Sequence, residues 1–108
     1  MEFRVELTKT AEADLEELYL WVVERAASQG VAWFNGLERA VHSLVRHPER
    51  CPLAPEHFEP ERRVRVLHYG RGRSVYRIIF WIDSATRVVN VLHVRRGARQ
   101  TSSGVAER

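Results

Sequence analysis

The N-terminal segment alternates apolar with charged side chains and then changes to a helical spacing. In FRVEL every second residue is apolar, which is the period of a half-buried strand. Thr8 or Thr10 then offers a helix N-cap. Gly30 in SQGV is expected to end this first helix. The core-facing stripe of the helix is predicted to be Ala11, Leu15, Leu18, Tyr19, Val22 and Ala26.

A second helix pattern follows after a short connection. Its apolar positions begin at Trp33, and His47-Pro48 stops it, because proline cannot continue a helix and disfavours helical backbone in the preceding residue. The short connection through Gly30 predicts an antiparallel helical hairpin. Neither helix is apolar all round, so both are expected to lie on a surface.

From Arg62 onward the hydrophobic period changes to two, which is typical of strands. The preceding loop, residues 48–60, contains all four prolines. Three strands are predicted over Arg63–His68, Ser74–Asp83 and Arg87–Arg95. The sequence therefore predicts an α+β fold: an N-terminal strand, a two-helix hairpin, and a three-stranded antiparallel meander in one sheet (β-α-α-β-β-β). We expect one domain over residues 1–96 and a flexible polar tail over 97–108.

Alternation along these strands divides their side chains between two faces of the sheet. The face predicted to turn towards the core comprises Val64, Val66, Tyr76, Ile78, Phe80, Ile82, Val88, Leu92 and Val94. The opposite face is predicted to gather Arg63, Arg65, Arg77, His93 and Arg95, with Trp81 beside them. Such a concentration of cationic and polar groups predicts an anion site.

The distribution of charge supports an anionic partner. The first 61 residues contain 12 acidic and 6 basic side chains, whereas the remainder contains 11 arginines and two acids. Lys9 is the only lysine, and arginine presents a planar fork of donors that suits phosphate and carboxylate groups. An acidic protein and a nucleic acid fit this charge equally well.

Other classes of function are disfavoured by composition. The chain has no long apolar run, and its charged N-terminus (MEFRVELTK) is unlike a signal peptide, so we expect a cytoplasmic protein without a membrane partner. Cys51, the only cysteine, cannot form an intramolecular disulfide and is expected to be a buried loop residue. The five histidines show no metal-ligand spacing. We therefore expect no metal, no cofactor and no small-molecule ligand.

Four segments, in this order and spacing from about Phe3 to Arg99, resemble the RelE/ParE toxin superfamily: LTKTAEADLEELYLWV, RHPERCPLAPE, VLHYGRGRSVYRIIFWID and VLHVRRGAR. The resemblance implies the toxin of a type II toxin–antitoxin system, of the kind first noted in plasmid stabilisation and growth arrest. Such a toxin is usually encoded beside a small antitoxin that wraps it. The RelE branch cuts messenger RNA in the ribosomal A site, whereas the ParE branch poisons DNA gyrase.

The resemblance also suggests roles for individual residues. Arg77 in VYRII matches the arginine that RelE-like nucleases place near the scissile phosphate, and Arg95 or Arg96 lies near their second arginine. His93 is a candidate general acid or base. Candidate bases in the proline-rich loop are Glu56, His57 and Glu61. The candidate residues for binding nucleic acid or another target are Arg63, Arg65, Arg71, Arg73, Arg77, Trp81, Arg95 and Arg96.

Three functions remain open at this point. A ParE-like toxin that acts on gyrase by binding is favoured, because the chain lacks the lysines and the late aromatic residue of RelE-like nucleases. A ribosome-dependent endoribonuclease, with Arg77, His93 and Arg95 as its catalytic residues, is the first alternative. The second alternative is a non-toxic domain that binds RNA or only an antitoxin. Under each of the toxin hypotheses, the candidate antitoxin-binding residues are Leu20, Trp21 and Trp33. Excess apolar surface on a small protein often marks an interface.

Overall fold

The order of secondary-structure elements predicted from the sequence is confirmed in a computed structural model, which describes residues 2–55, 63–72 and 75–97. The elements are β1 (Arg4–Leu7), α1 (Lys9–Arg25), α2 (Ala27–His42), β2 (Val64–Tyr69), β3 (Tyr76–Asp83) and β4 (Val88–Arg96), with 3-10 helices at Ser43–Val45 and Pro48–Arg50 after α2. The strands form one sheet in the order β1-β4-β3-β2. The last three strands are antiparallel, as predicted, whereas β1 runs parallel to β4 and makes the sheet mixed. No helix in the described part of the chain is long and apolar enough to cross a membrane.

The start of α1 is bonded directly to the edge of β4. The Thr8 hydroxyl accepts from the Ala11 amide at 3.1 Å, as expected of an N-cap, and donates to the Leu92 carbonyl at 3.2 Å. Six residues after Thr8, the Asp14 carboxylate accepts from the Val94 amide at 3.0 Å. These bonds satisfy backbone groups of β4 beyond the point where β1 ends, because β1 pairs with β4 only as far as Val91.

The predicted helix boundary at Gly30 is wrong. α1 ends at Arg25, the backbone breaks at Ala26 (φ −156°), and Gly30 lies in the first turn of α2. A Cβ atom on Gly30 would lie 2.6 Å from the carbonyl oxygen of Val22. Glycine is therefore required here for the close approach of the two helices. The same pairing brings Tyr19 against Phe34, with ring centroids 5.1 Å apart, so α1 and α2 form the predicted antiparallel hairpin.

The two helices cover one side of the sheet, and the main core lies between the helices and the sheet. From β3, Ile78 and Phe80 enter this core, flanked by the partly buried Tyr76 and Ile82, as predicted. The helices contribute mainly Leu18, Val22, Phe34, Leu37 and Val41. A second, smaller cluster lies on the other side of the sheet and consists of Ala54, Val64, Val66 and Ile79, with Leu92 packed against it.

The side chains of β2 lie on the opposite faces of the sheet from those predicted. Val64 and Val66 belong to the outer cluster, whereas Leu67 and Tyr69 pack against the helix-side core. The prediction failed because it assumed that only one face of the sheet is covered. In the structure the segment before β2 pairs with the edge of this strand, where the Ala54 amide donates to the Val64 carbonyl at 2.7 Å. The buried Ala54 side chain packs with Val64 and Val66 on the outer face. Apolar side chains are therefore stable on both faces of β2.

Strand β4 departs from the prediction at a bulge. His93 pairs with Ile79 but Val91 pairs with Phe80, so Leu92 is an extra residue in β4. An extra residue reverses the alternation for everything before it. Val94 faces the helices as predicted, but Val89 and Val91 join it there in place of Val88 and Leu92.

Replacing Gly30 by alanine is expected to destabilise the protein. The added methyl group meets a backbone carbonyl rather than a flexible side chain, so the helices must separate. We expect a loss of about 1–3 kcal/mol in the free energy of unfolding, despite the better helix propensity of alanine. The measurement is equilibrium unfolding in urea. Asn35→Ala, at an exposed position of α2, is the control and should not destabilise. A Gly30→Ala variant more stable than the parent would contradict the close-contact explanation.

Candidate functional site

The pairing of β2, β3 and β4 places three cationic or titratable residues in one row. His68 is opposite Arg77, and Arg77 is opposite Arg95. The next row along the strands is Val66, Ile79 and His93. Because Val66 and Ile79 belong to the outer cluster, both rows lie on the side of the sheet away from the helices. We call His68, Arg77, His93 and Arg95 the basic face.

Arg77 is held at the centre of the basic face by close packing of its aliphatic stem. A Cβ atom on Gly97 would lie 2.8 Å from Cγ of Arg77 and 3.0 Å from its Cδ, so a larger residue at 97 would displace the arginine. The position of Gly97 is set by its amide, which donates to the Val75 carbonyl at 2.8 Å. Sequence reasoning missed both Gly97 and His68. Only the strand register shows that they adjoin Arg77.

His93 lies between a carboxylate and a guanidinium. Its Nδ1 is 3.8 Å from Oδ2 of Asp14 and 3.3 Å from Nη2 of Arg95. The imidazole and the carboxylate are each about one quarter exposed, at 28% and 26%. Because Asp14 also accepts from the Val94 amide, its position is fixed by β4 itself. Asp14 therefore supplies a negative charge at the edge of an otherwise cationic surface.

Arg65 does not belong to the basic face, contrary to the prediction. It is opposite Phe80, on the helix side of the sheet, and its Nη1 donates to the carbonyls of Cys51 at 2.6 Å and Glu49 at 3.3 Å. Arg65 therefore ties the loop after α2 to β2. Arg63 is exposed immediately before β2 begins.

The other predicted target-binding residues are spread over the molecule. Trp81 lies in a row with Val64 and Asn90, on the same side of the sheet as the basic face, and is half-buried. Arg71 is exposed in the turn between β2 and β3, where Gly70 has φ 96°. Arg96 alternates to the opposite side of β4 from Arg95. Four further candidates lie outside the described residues: Arg73, Glu56, His57 and Glu61.

The two predicted antitoxin-binding tryptophans line one groove between the helices and the end of the sheet. The groove has a volume of about 370 Å³, and its walls include Trp21, Trp33, Tyr76, Arg25 and Arg96. The guanidinium of Arg25 lies 4.2 Å from the centre of the Trp21 ring, and the rings of Trp33 and Tyr76 meet edge to face at 5.2 Å. We call this the aromatic groove.

Leu20 lies outside the aromatic groove. At 62% exposure it is the most exposed large apolar side chain in the described part of the chain, and it is two positions from the buried Leu18. Two positions on a helix correspond to about 200°, so Leu20 is on the outer surface of α1. The three predicted antitoxin-binding residues therefore do not form one patch.

Comparison with known proteins assigns the family. The family model of the ParE toxins of type II toxin–antitoxin systems (parDE) matches residues 5–101. The chain belongs to the ParE toxin family. A chain of the chromosomal ParDE toxin–antitoxin system from P. aeruginosa has the same fold, with a TM-score of 0.68 at 19% identity, covering 87% of this chain and 95% of that one.

A more distant structural similarity extends to the RelE branch. A chain of the archaeal RelE–RelB complex from Pyrococcus horikoshii OT3 has a TM-score of 0.55 at 16% identity. The similarity covers 93% of this chain and 100% of that one. At these identities the likeness concerns the fold. No sequence among curated proteins matches the chain significantly.

Cys51 of this ParE-family chain is a buried residue in the loop after α2, as predicted. Burial raises the pKa of its thiol, although the neighbouring charges of Arg50 and Arg65 act in the opposite direction. Since the thiolate is the nucleophile, the buried Cys51 is expected to react slowly at neutral pH. Within the described ranges no group of three or more histidine, cysteine or acidic side chains is arranged to hold a metal ion.

Replacing Arg65 by glutamine is expected to expose Cys51 to alkylation. The variant loses the bonds to the Cys51 and Glu49 carbonyls, and a loss of about 1.4 kcal/mol makes the open loop about tenfold more populated. Removing the arginine charge acts against this by raising the pKa of the thiol further. We expect loop opening to prevail, because burial is the largest cause of the shift.

The measurement is the rate of iodoacetamide labelling at neutral pH. The rate should increase with pH in the parent and in the variant, because the thiolate is the reacting species. Arg63→Gln, an exposed arginine two residues earlier, is the matched control and should label as slowly as the parent. Equal rates in all three proteins would mean that Arg65 does not hold the loop.

Proposed function

We propose that this ParE-family chain is the toxin of a type II toxin–antitoxin system, that it arrests growth by binding and inhibiting DNA gyrase, and that an antitoxin neutralises it by occupying the aromatic groove. The observation that carries the toxin assignment is the match to the ParE family over residues 5–101. The basic face supports an anionic or nucleic-acid-bound target, since its two arginines are paired on neighbouring strands on the same side of the sheet.

The composition of the basic face favours binding of a target over catalysis. Arg77 and Arg95 carry permanent charge and are suited to contact an anion, but they are poor proton carriers. Among the described residues of the basic face, only the two imidazoles can transfer a proton near neutral pH. His93 is within 4 Å of both Asp14 and Arg95.

A ribosome-dependent endoribonuclease is the second candidate function. It is favoured by the convergence of Arg77, His93 and Arg95 on adjacent strands, since cations next to an imidazole can stabilise charge on a phosphate while a proton is transferred. Both candidate functions use the basic face. They differ in what the toxin does to its target.

Purified protein is expected to inhibit plasmid supercoiling by gyrase, and the double substitution Arg77→Gln with Arg95→Gln is expected to raise the concentration needed about thirtyfold. The reason is the loss of two contacts to an anionic target, each contributing about 1 kcal/mol. Arg39→Gln, an exposed arginine of α2, removes the same kind of charge away from the basic face and should leave inhibition unchanged.

If the parent protein fails to inhibit gyrase at large molar excess, gyrase is not its target. Primer extension on cellular transcripts after induction then decides the alternative. Cuts within codons that disappear in the double variant would establish the nuclease, whereas intact transcripts together with early arrest of DNA synthesis would support gyrase.

The aromatic groove has the properties of a protein-binding hot spot. Tryptophan, tyrosine and arginine are the residues that most often dominate interface energetics, and all three types line it. Trp21 remains 43% exposed in the isolated chain, so a partner has apolar surface left to cover. The arginines at its border, Arg25 and Arg96, suit an acidic side chain next to the inserted apolar residue of an antitoxin.

Trp21→Ala is expected to weaken antitoxin binding by about 2 kcal/mol, roughly thirtyfold, because it removes an aromatic wall of the groove. Leu20→Ala should have a smaller effect, since Leu20 lies outside the groove and contacts at the border of an interface contribute less. Leu53→Ala, at an exposed position that pairs with β2 and does not line the groove, is the control. Calorimetric titration with the antitoxin of the same operon measures the three affinities. Equal losses for Trp21 and Leu53 would rule out the aromatic groove as the antitoxin site.

A further inference from the structure

A second group of cationic side chains surrounds a pocket at the end of α2. After His42 the chain passes through the two 3-10 helices. Residues of this segment line an open pocket of about 600 Å³. Its polar lining residues are Glu2, His42, Ser43, Arg46, His47 and Arg50. We call it the α2 end pocket. It is a basic patch within the half of the chain that is otherwise acidic.

The α2 end pocket and the basic face are at opposite ends of the molecule. The Phe3 amide donates to the Val45 carbonyl at 2.8 Å, so the pocket adjoins the start of β1, which pairs with the start of β4 at Val88. Arg95 lies seven residues further along β4, which corresponds to roughly 24 Å. A ligand of the pocket is therefore separate from one on the basic face, unless the ligand is long enough to reach both.

Arg50 is fixed in the wall of the pocket by three hydrogen bonds to neutral groups. Its Nη1 donates to the carbonyls of Arg46 at 2.7 Å and His47 at 3.1 Å, and its Nη2 donates to the Ser43 hydroxyl at 3.0 Å. These bonds leave the Nε hydrogen and one Nη2 hydrogen for another acceptor. In the described part of the chain no carboxylate lies within 4.0 Å of Arg50.

Arg46 adds a second guanidinium that is only partly neutralised. Its Nε is 3.3 Å from Oε2 of Glu2, and the arginine side chain is 75% exposed. Among the described lining residues Glu2 is the only carboxylate, whereas two arginines and two histidines line the same pocket. The pocket therefore carries an excess positive charge and several free donors.

The negative end of the helix does not cancel this attraction. The carbonyls at a helix C-terminus repel anions when they are unsatisfied. Here the Ser43 amide donates to the carbonyls of Arg39, Ala40 and Val41, and the Ser43 hydroxyl donates to the Ala40 carbonyl at 2.6 Å. Arg50 binds the carbonyls of Arg46 and His47, which lie between the two 3-10 helices. These carbonyls are therefore satisfied within the protein and repel an anion less.

We infer that the α2 end pocket binds a phosphate group in the backbone of a nucleic acid. Forked arginine donors match phosphate oxygens, and the pocket is larger than one phosphate ion requires and open to solvent, as a site on a continuous strand must be. The exposed lining residues do not enclose a free ion. This inference goes beyond the proposed function and does not depend on whether gyrase is the target.

The test is fluorescence anisotropy of a labelled DNA duplex with the full chain, between about 50 and 200 mM salt. We expect Arg46→Gln combined with His42→Gln to weaken binding about tenfold and to lower the slope of log affinity against log salt by about one, because one phosphate contact is lost. Arg39→Gln, on the same helix but outside the pocket, removes one charge and should weaken binding less than twofold.

Titration with inorganic phosphate, followed by the NMR signals of the His42 and His47 rings, separates the two sources of phosphate. Shifts of both signals with DNA in the parent, and loss of the His47 shift in the double variant, would support the inference. Shifts with inorganic phosphate but no binding of DNA would overturn it in favour of a free-anion site. An equal loss of DNA affinity in Arg39→Gln would also overturn it, because the effect would then be one of general charge.

Discussion

The pairing of β3 with β4 is the constraint on which both candidate surfaces depend. It places Arg77 opposite Arg95, and the extra residue at Leu92 lets Val89 and Val91 enter the helix-side core while His93 and Arg95 remain outside. A bulge inserts one residue and reverses the alternation on one side of it only. Without it, the buried valines and the exposed cations of β4 could not both be on their present sides.

The same alternation puts the aromatic groove and the basic face back to back. Tyr76 and Arg96 are paired and turn towards the groove, whereas the next pair, Arg77 and Arg95, turns to the opposite side. The two surfaces are thus one residue apart along each strand. The ends of β3 and β4 therefore present two separate surfaces that are supported by the same backbone hydrogen bonds.

Two residues have structural roles that differ from the roles predicted from the sequence. Gly30 looks like a helix terminator but allows α2 to approach the Val22 carbonyl, and Arg65 looks like a member of the cationic surface but binds the loop that contains Cys51. In each case the residue type is compatible with two roles. The choice depends on a neighbour distant in sequence: eight residues away for Gly30, and 14 for Arg65.

Local periodicity was enough to establish the element order, the α+β class, the helical hairpin and the inward face of β3, since the periods of 3.6 and 2 are properties of neighbouring residues. The charge asymmetry and the cationic strands were also evident from the sequence alone. The inward face of β2, the bulge in β4, the pairing of β1 with β4 and the convergence at the end of α2 were decided only by the tertiary structure. The physical reason is that alternation separates two faces without saying what covers each one, and here the helices cover one face while the segment around Ala54 covers part of the other.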